Sequence, residues 1–320
     1  MKVAVIGLGA MGKNHVRVLS EMPVVAEIVL FDAQLDASSK FLGYPLEKSI
    51  SSLIESKPDY CVVSTPTVTH HEIAHALAEA GIPTLIEKPI TSTVEEAESL
   101  VRSFQEAGVL GAVGHIERYN PAAQELKRKV DSGILGTIHQ VTSRRIGPYS
   151  GRVKDIGVIK DLASHDIHLV KWLTGSSYAS LSALVSSPTG GAHEDSLMAL
   201  AKLDNGVLVS HLVNWISPTK ERVTTVLGQN GLLIADTLAG DLFFFENGVS
   251  PVSWDRLSLF KGVSEGPMHK YETTKKEPLL AEHEAFQEAL RTRDISHVVT
   301  LADGLSVLEV ATRMIEASRT

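Results

Sequence analysis

The feature that most restricts the fold of this 320-residue chain is a glycine-rich segment near its start. A β-branched run, Val3 to Ile6, leads directly into Gly7-Leu8-Gly9-Ala10-Met11-Gly12, and a helical pattern follows. Strand, glycine turn and helix in this order are the context in which a G-x-G-x-x-G pattern binds a dinucleotide. Gly7 permits a tight turn, Gly9 lets the backbone approach a pyrophosphate, and Gly12 lets the helix pack closely on the strand. We therefore predict an α/β domain of the Rossmann type with a parallel sheet.

An acidic residue at the end of the second predicted strand indicates which dinucleotide binds. The strand spans Glu27 to Phe31 and ends at Asp32, twenty residues after Gly12. A carboxylate in this position accepts hydrogen bonds from the adenosine ribose hydroxyls and repels a 2'-phosphate. The sequence therefore predicts NAD as the cofactor and disfavours NADP.

The next segments have the pattern of two further βα units. Asp59 to Ser64 has the composition of a buried strand, and Thr65-Pro66-Thr67 is the loop that leaves its carboxyl end. Each unit carries the S/T-x-x-E pattern of a capping box at the start of its helix: Thr69 with Glu72, and Ser92 with Glu95. We expect these helices to end at Gly81 and Gly108.

The strand of the second of these βα units ends in an unusual combination of side chains. Thr84-Leu85-Ile86 runs into Glu87-Lys88-Pro89, which offers a carboxylate, an amine and a proline. Lys88 then lies at the carboxyl end of a parallel strand, where open α/β sheets hold their ligands. The alternative is an ordinary surface lysine in a βα loop.

After Asn120-Pro121, a helix start with proline in the first turn, the pattern changes. Strand-like segments then follow one another with few helices between them: 137–145, 178–186, 196–203, 207–214, 222–227 and 231–236. Asp204-Asn205-Gly206 is a hairpin turn. We predict a second, α+β domain with a large, mostly antiparallel open sheet. The predicted domains are residues 1–118 and 119–320.

One helical stretch of the second domain, residues 160–173, carries polar groups suited to proton transfer. Asp161 and His165 are four positions apart and share a helix face, and His168 falls on that side too. In a hydride transfer, imidazole can remove the hydroxyl proton, while an ammonium at Lys88 stabilises the developing alkoxide. Two alternatives are polar residues on an amphipathic helix, or a metal site formed by the Asp and both histidines.

A second pair of histidines has metal-ligand spacing. His71 and His75 are four positions apart, but no third ligand is evident nearby. We expect both to lie on an exposed helix face and predict no metal site.

These motifs together resemble the Gfo/Idh/MocA oxidoreductase family, whose members are NAD(P)-dependent and act mostly on sugars and cyclitols. The resemblance implies that Lys88 lies beside the nicotinamide and the reacting carbon. The family's D-x-x-x-H motif matches Asp161 and His165, with the histidine most often the proton acceptor, and Asp161 could orient the substrate, Lys88 or His165. It also implies cofactor contacts by further loop residues: Thr65, Pro66, Thr67, His70, Glu87 and Lys88. The segments 277–291 and 301–318 resemble the family's closing elements, which pack back on the cofactor domain. A homodimer or homotetramer formed across the open sheet is implied as well.

The segments around 114–121, 144–148 and 155–159 are similar to the branch of this family that oxidises the 3-hydroxyl of UDP-N-acetylhexosamines. The implied substrate-binding residues are Lys88, His115, Arg118, Arg144, Arg152, Asp161 and His165. Arg144, Arg145, Arg152 and Lys154 would supply charge for a diphosphate. Solvated arginines on a strand are the alternative. Other candidate functions are a myo-inositol or aldose dehydrogenase, and a non-catalytic NAD-binding regulator.

Composition excludes several classes of protein. A formal net charge of -8 argues against non-specific binding to nucleic acid or to anionic membranes. The single cysteine, Cys61, lies in an apolar run, so we expect a buried thiol and no intrachain disulfide. The apolar start of the chain reaches glycine too soon for a signal peptide or a membrane span. We therefore expect a cytoplasmic enzyme with a small-molecule substrate.

Overall fold

A computed structural model describes residues 1–36, 38–149, 156–248, 251–252, 262–263 and 266–319. The chain forms two compact units. The first contains Met1–Tyr119 and Glu277–Glu309, and the second contains Asn120–Lys276 and Val310–Thr320. Among the described residues, no helix combines the length and apolar character needed to cross a membrane.

The strands, in chain order, are β1 (Lys2–Ile6), β2 (Glu27–Phe31), β3 (Lys40–Phe41), β4 (Tyr44–Pro45), β5 (Tyr60–Val63), β6 (Thr84–Glu87), β7 (Gly111–Gly114), β8 (Ile138–Ile146), β9 (Tyr178–Ser186), β10 (Ser196–Leu203), β11 (Leu208–Asn214), β12 (Glu221–Gly228), β13 (Gly231–Asp236), β14 (Asp241–Glu246), β15 (Pro251–Val252), β16 (Gly262–Val263) and β17 (Met268–Tyr271). The α-helices are α1 (Ala10–Glu21), α2 (Ile50–Glu55), α3 (His70–Glu79), α4 (Val94–Ala107), α5 (Pro121–Asp131), α6 (Ser164–Thr174), α7 (Pro278–Thr292) and α8 (Leu301–Ala317). Short 3₁₀ turns cover Thr67–Thr69 and Ile116–Tyr119.

The first unit is built on a five-stranded sheet in the order β2-β1-β5-β6-β7. All four neighbouring pairs in it are parallel. Chain order reverses between β1 and β5, and open α/β sheets bind ligands at the carboxyl ends of the strands beside such a reversal. The predicted Rossmann-type parallel sheet is therefore confirmed.

Burial on both faces explains why the central strands are almost wholly apolar. Alternate residues of β1 and β5 enter different cores: Ala4, Ile6, Cys61 and Val63 on one side, and Val3, Val5, Tyr60 and Val62 on the other. This is the pattern of parallel strands covered by helices on each face. Cys61 is a buried thiol, as predicted, and burial raises its pKa.

Residues from the end of the chain complete the second of these cores. Leu279, Phe286 and Ala289 of α7 pack in the same cluster as Val3 and Val5. The first unit therefore needs residues that are more than 270 positions away from its first strand.

The two predicted capping boxes are wrong, for different reasons. At α4 the N-cap is Thr93, whose hydroxyl accepts the N–H of Glu96, so the box lies one residue later than predicted. At α3 the chain is already helical at Thr69 because a 3₁₀ turn runs into the helix. The Thr69 hydroxyl donates back to the carbonyl of Pro66 and caps nothing. Gly81 and Gly108 follow their helices in the left-handed conformation, as expected.

The second unit contains an eight-stranded sheet in the order β17-β14-β13-β12-β8-β11-β10-β9. Only the β8–β11 pair within it is parallel, which confirms the predicted mostly antiparallel sheet. The predicted hairpin joins β10 to β11 through Gly206, at a φ of 88°. Residues 243–245, three consecutive phenylalanines, lie in β14.

One face of this sheet carries exposed apolar side chains. Burial alternates along β10, so Leu197 is buried while Met198 and Leu200 are exposed. Neighbouring strands add further exposed apolar residues: Leu184, Leu208 and Leu227. An apolar strip of this kind on an open sheet is typical of an association surface.

Candidate active site

The glycine loop after β1 is tightly packed at two positions and open at the third. Gly7 has a φ of +90°, and a Cβ there would lie 2.8 Å from the backbone of Ser64. A Cβ on Gly12 would lie 1.9 Å from the carbonyl oxygen of Gly7. Gly9, in contrast, has open space where a Cβ would be. The loop thus leaves room at the N-terminus of α1, which has no side-chain cap and favours negative charge.

Asp32 is fixed against this loop. Its Oδ2 accepts the backbone N–H of Leu8 at 2.7 Å, and its Oδ1 accepts the N–H of Gln34 at 2.8 Å. The carboxylate is therefore held at the carboxyl ends of β1 and β2, where a dinucleotide's ribose would need an acceptor. An open glycine turn, an uncapped helix start and a fixed carboxylate together fit a dinucleotide.

His70 joins two loops at the carboxyl edge of the sheet. Its buried ring lies with Nδ1 at 3.0 Å from the carbonyl oxygen of Pro89 and Nε2 at 2.9 Å from that of Thr65. Burial lowers the pKa of His70, although both carbonyls and Glu87 act in the other direction. The ring links the Thr65-Pro66-Thr67 loop with the loop after β6.

Glu87 ends β6 and its carboxylate points into the protein. Oε1 lies 3.0 Å from Nε2 of His15, and Oε2 accepts the backbone N–H of Lys88 at 3.0 Å. Burial acts to raise the pKa of Glu87, but the hydrogen bond and charge of His15 and the charge of Lys88 outweigh it, so the pKa lies below its ordinary value. A buried anion thus lies directly beside the candidate catalytic lysine.

Two residues beyond β7 are also buried in this unit. Burial, followed by the positive charge of Lys88, lowers the pKa of His115 to about 3. Arg118 donates to the carbonyl oxygens of Ser296 and Val298 at 2.8 and 3.1 Å. Through these contacts Arg118 holds the segment that leads into α8.

In the second unit, the polar motif lies at a change of helix type. Asp161 belongs to a π-helical turn, Ile159–Ala163, and His165 to the first turn of α6. The sequence predicts one regular helix here, and the structure shows an irregular start. The turn is anchored by Glu194, whose Oε1 accepts the N–H of Ile159 at 3.0 Å. Single π turns occur frequently at functional sites.

The basic residues proposed for a diphosphate have different environments. Arg145 is buried and pairs with Asp166, with Nε and Nη2 both 3.0 Å from Oδ1. The side chain of Arg144 is 51% exposed and lies 3.3 Å from Glu221 on β12. Arg152 and Lys154 lie outside the described residues. Of the arginines in β8, Arg144 is the one that faces solvent.

Within the described part of the chain, no group of three or more His, Cys, Asp and Glu side chains could hold a metal ion. His71 and His75 stack with their ring centroids 5.9 Å apart. Nδ1 of His75 lies 2.9 Å from the hydroxyl of Ser103. The four-residue spacing of His71 and His75 is therefore explained by ring stacking within α3.

Sequence reasoning missed a set of buried polar residues in the first unit: His15, Tyr60, Glu282 and His283. They come from α1, β5 and α7, so no local motif joins them. For the residues on helices, the sequence carries one signal that could have identified them: a polar residue on an otherwise apolar helix face. His15 is an example, because it lies between the buried residues Gly12 and Leu19 of α1.

Comparisons with known proteins agree with this geometry. A model of the oxidoreductase family with NAD-binding Rossmann fold, Gfo/Idh/MocA, matches residues 1–115. The Gfo/Idh/MocA C-terminal domain matches residues 123–234. Both halves of the chain are therefore matched by the same family.

Among curated proteins, the chain is 28% identical to the UDP-N-acetylglucosamine 3-dehydrogenase of Acidithiobacillus ferrooxidans, over 96% of this chain and 92% of that one. It is 31% identical to inositol 2-dehydrogenase 2 of Saccharopolyspora erythraea, over 65% of each chain. A solved structure of the Acidithiobacillus enzyme superposes with a TM-score of 0.86 at 26% identity, covering 99% of this chain and 97% of that one.

Proposed function

The chain belongs to the Gfo/Idh/MocA family of oxidoreductases, and we propose that it is an NAD-dependent dehydrogenase of a UDP-N-acetylated hexosamine, acting on the 3-hydroxyl. The observation that carries this proposal is similarity to a UDP-N-acetylglucosamine 3-dehydrogenase along 96% of the chain. That similarity includes the second unit, which carries four of the implied substrate-binding residues, Arg144, Arg152, Asp161 and His165. The inositol 2-dehydrogenase of Saccharopolyspora matches over 65% and supports the second candidate, a cyclitol substrate.

The proposed cofactor site is the glycine loop together with Asp32 and the Thr65-Pro66-Thr67 loop. When bound, the nicotinamide supplies the hydride acceptor. Asp32 favours NAD over NADP because its carboxylate, fixed by the N–H groups of Leu8 and Gln34, is incompatible with a nearby 2'-phosphate.

The proposed chemistry oxidises a secondary alcohol to a ketone with loss of a hydride and a proton. Lys88 donates a hydrogen bond to the substrate oxygen and stabilises the negative charge that develops on it. His165 accepts the hydroxyl proton, and Asp161 orients the imidazole or the sugar. The π turn at Asp161 supports this assignment, since such irregularities are frequent at functional sites.

We propose that charge for the diphosphate comes from Arg144 and Arg152. Guanidinium groups suit the task because they bind phosphate oxygens in pairs. The exposure of Arg144 supports its role. Arg144 would exchange its ion pair with Glu221 for one with the diphosphate.

Self-association and location complete the proposal. The exposed apolar strip on the second unit's sheet supports a homodimer or homotetramer. A cytoplasmic location is consistent with the single, buried cysteine.

The deciding experiment measures NADH formation at 340 nm with purified protein and NAD. UDP-N-acetylglucosamine, N-acetylglucosamine and myo-inositol are compared, with an aminotransferase present to remove the ketone. We expect signal only with the nucleotide sugar. NADH formation with myo-inositol alone would show that the substrate is a cyclitol and not a nucleotide sugar. Tight NAD binding with no cofactor reduction by any sugar, even in a single turnover, would favour a non-catalytic regulator.

A further inference from the structure

A buried chain of hydrogen bonds crosses the first unit from α7 to the end of β6. Nδ1 of His283 lies 3.1 Å from the hydroxyl of Tyr60, and Nε2 of His283 lies 2.9 Å from Nδ1 of His15. Nε2 of His15 then lies 3.0 Å from Oε1 of Glu87. At the far end, the amide of Gln287 donates to the Tyr60 oxygen at 3.1 Å. The chain thus joins the closing helix to the residue that precedes Lys88.

The surroundings of this chain exclude competing solvent. Tyr60, His15 and His283 have no exposed surface. In such a low-dielectric interior each hydrogen bond is stronger than in water, and an unpaired polar atom destabilises the folded protein. The alignment of donors and acceptors along the chain is therefore restricted.

With a neutral His15, the donors and acceptors of the chain have one consistent alignment. An ionised Glu87 can only accept, so the hydrogen of His15 must be on Nε2. If His15 is neutral, its Nδ1 is an acceptor, and His283 must then donate from Nε2. Nδ1 of His283 in turn accepts from the Tyr60 hydroxyl, whose oxygen accepts from Gln287. Every polar atom then has one matching partner, and all donors point towards Glu87.

The pKa shifts of His283 and Tyr60 agree with neutral side chains at these two positions. Burial is the largest cause that lowers the pKa of His283 well below its ordinary value. Burial raises the pKa of the Tyr60 hydroxyl, which keeps it protonated as a donor.

We propose that His15 and His283 are positioning residues for Lys88, which act by holding the Glu87 carboxylate in one orientation. Glu87 passes this constraint on through the hydrogen bond from the Lys88 backbone N–H to its Oε2 and through its negative charge beside the lysine. This inference rests on the proposed function in one respect, that Lys88 is the reacting amine.

Other ionisable groups also act on this region. The charge of Glu87 acts to raise the pKa of His70 in α3, of His115 after β7 and of Glu282 in α7. His15 contacts the Glu87 carboxylate directly, with Nε2 at 3.0 Å from Oε1. The imidazole pair can therefore fix the orientation of the carboxylate.

The first test needs no substrate. Histidine ring nitrogens of the full-length protein, labelled with ¹⁵N, are observed by NMR at pH 7.5, and the resonances are assigned by their loss in His15→Gln and His283→Gln. We expect both rings to be protonated on Nε2, and His283 to be neutral. A ring protonated on Nδ1, or a positively charged His283, would overturn the proposed chain, whether or not the protein oxidises a sugar.

The second test compares two substitutions at one position. His283→Gln keeps a donor close to the position of Nε2, whereas His283→Leu removes it. We expect kcat to fall at least tenfold in the Leu variant and less than threefold in the Gln variant, with KM for the sugar and Kd for NAD within twofold of wild type. Equal losses in both variants, or no loss in either, would contradict a positioning role.

Two controls separate positioning from folding. His75→Leu changes a histidine of α3 outside the chain, so kcat should not change. Tyr60→Phe removes one hydroxyl at the end of the chain and serves if His283→Leu does not fold. We expect it to remove the donor to Nδ1 of His283 and to shift the Nδ1 resonance, while His283 stays protonated on Nε2 because the Glu87 end of the chain sets that tautomer. An unchanged Nδ1 resonance, or a proton moved to Nδ1, would count against the chain. If wild-type protein oxidises no sugar, the proposed function fails while the NMR test of the chain still stands.

Discussion

The carboxylate of Asp32 accepts the backbone N–H of Leu8, in the middle of the glycine loop, at 2.7 Å. This hydrogen bond ties the end of β2 to the turn after β1 and fixes a negative charge at the edge of the proposed dinucleotide site. The contact gives the proposed choice of cofactor a defined structural origin.

Asp32→Ala should therefore weaken NAD more than NADP. We expect the Kd for NAD to rise about tenfold, which corresponds to about 1.4 kcal/mol, while the Kd for NADP rises less or falls. Fluorescence titration with each cofactor measures both values. Asp36→Ala, which removes an exposed turn carboxylate bonded to Ser38, is the matched control. Equal weakening of both cofactors by the Asp32 variant would contradict the argument.

Lys88→Ala should abolish turnover and leave NAD binding largely intact. The loss of a donor that stabilises an alkoxide typically lowers kcat by about 10²- to 10³-fold. Initial rates measure the loss, and fluorescence titration measures NAD binding. Lys48→Ala changes an exposed lysine of the same unit and should retain wild-type rates. Retained activity in the Lys88 variant would remove this residue from the mechanism.

Glu282→Gln should stabilise the protein at alkaline pH. Both carboxylate oxygens of Glu282 are buried without a hydrogen-bond partner among the described residues. Burial, and then the charge of Glu87, raises its pKa well above 4.5. The folded protein therefore holds a proton that the unfolded chain loses above about pH 4.5, so the wild-type protein loses stability as pH rises from there.

We expect the Gln variant to gain about 1–3 kcal/mol in unfolding free energy at pH 8 and much less at pH 5. Urea unfolding at both pH values measures this difference. Glu309→Gln, at an exposed position of α8, should show no such dependence. An equal effect at both pH values would mean that Glu282 is ionised in the folded protein.

Two buried histidines should make the protein sensitive to acid. Burial lowers the pKa of His115 to about 3 and that of His211 to about 4. Both rings stay neutral in the folded protein while the unfolded chain takes up protons below about pH 6.5. Their contribution is thus complete above pH 6.5 and is lost as pH falls towards 4.

The measurement is the slope of unfolding free energy against pH at about pH 5. Each such histidine adds up to about 1.4 kcal/mol per pH unit. His211→Phe should reduce the slope by about one proton, even though it also removes contacts to Ser143 and Tyr178. A wild-type slope in the His211 variant would show that this ring is protonated when folded.

Leu200→Lys should disrupt the proposed oligomer. Leu200 is 67% exposed in the middle of the apolar strip on the second unit's sheet. A charge buried at an interface without a partner strongly opposes association. Light scattering should give the 34.5 kDa mass of one chain for this variant and a multiple of it for wild type. Leu42→Lys, at an exposed apolar position of the first unit, is the control. A wild-type mass that already equals one chain would reject the interface.

Local sequence was sufficient to predict a structural feature wherever the physical cause of that feature lies in neighbouring residues. Gly7 is required by a positive φ and Gly12 by a close backbone approach, and both follow from the glycine pattern. The strands Glu27–Phe31, Ser196–Leu203 and Gly231–Asp236 have the predicted bounds, because their apolar patterns are uninterrupted. The capping boxes were not determined locally, since two neighbouring hydroxyls compete for the start of α4 and a 3₁₀ turn precedes α3.

The sequence by itself therefore determined the family, the parallel sheet, the glycine loop, and Asp32 and Lys88 at the ends of their strands. Only the tertiary structure decided which polar groups meet. His15 and His283 are 268 positions apart and lie 2.9 Å from each other, and Arg145 is paired with Asp166 rather than exposed. Such pairings depend on how α7 packs on the sheet and how α6 packs beside β8. No local propensity encodes them, because burial and hydrogen bonding are set by residues distant in the chain.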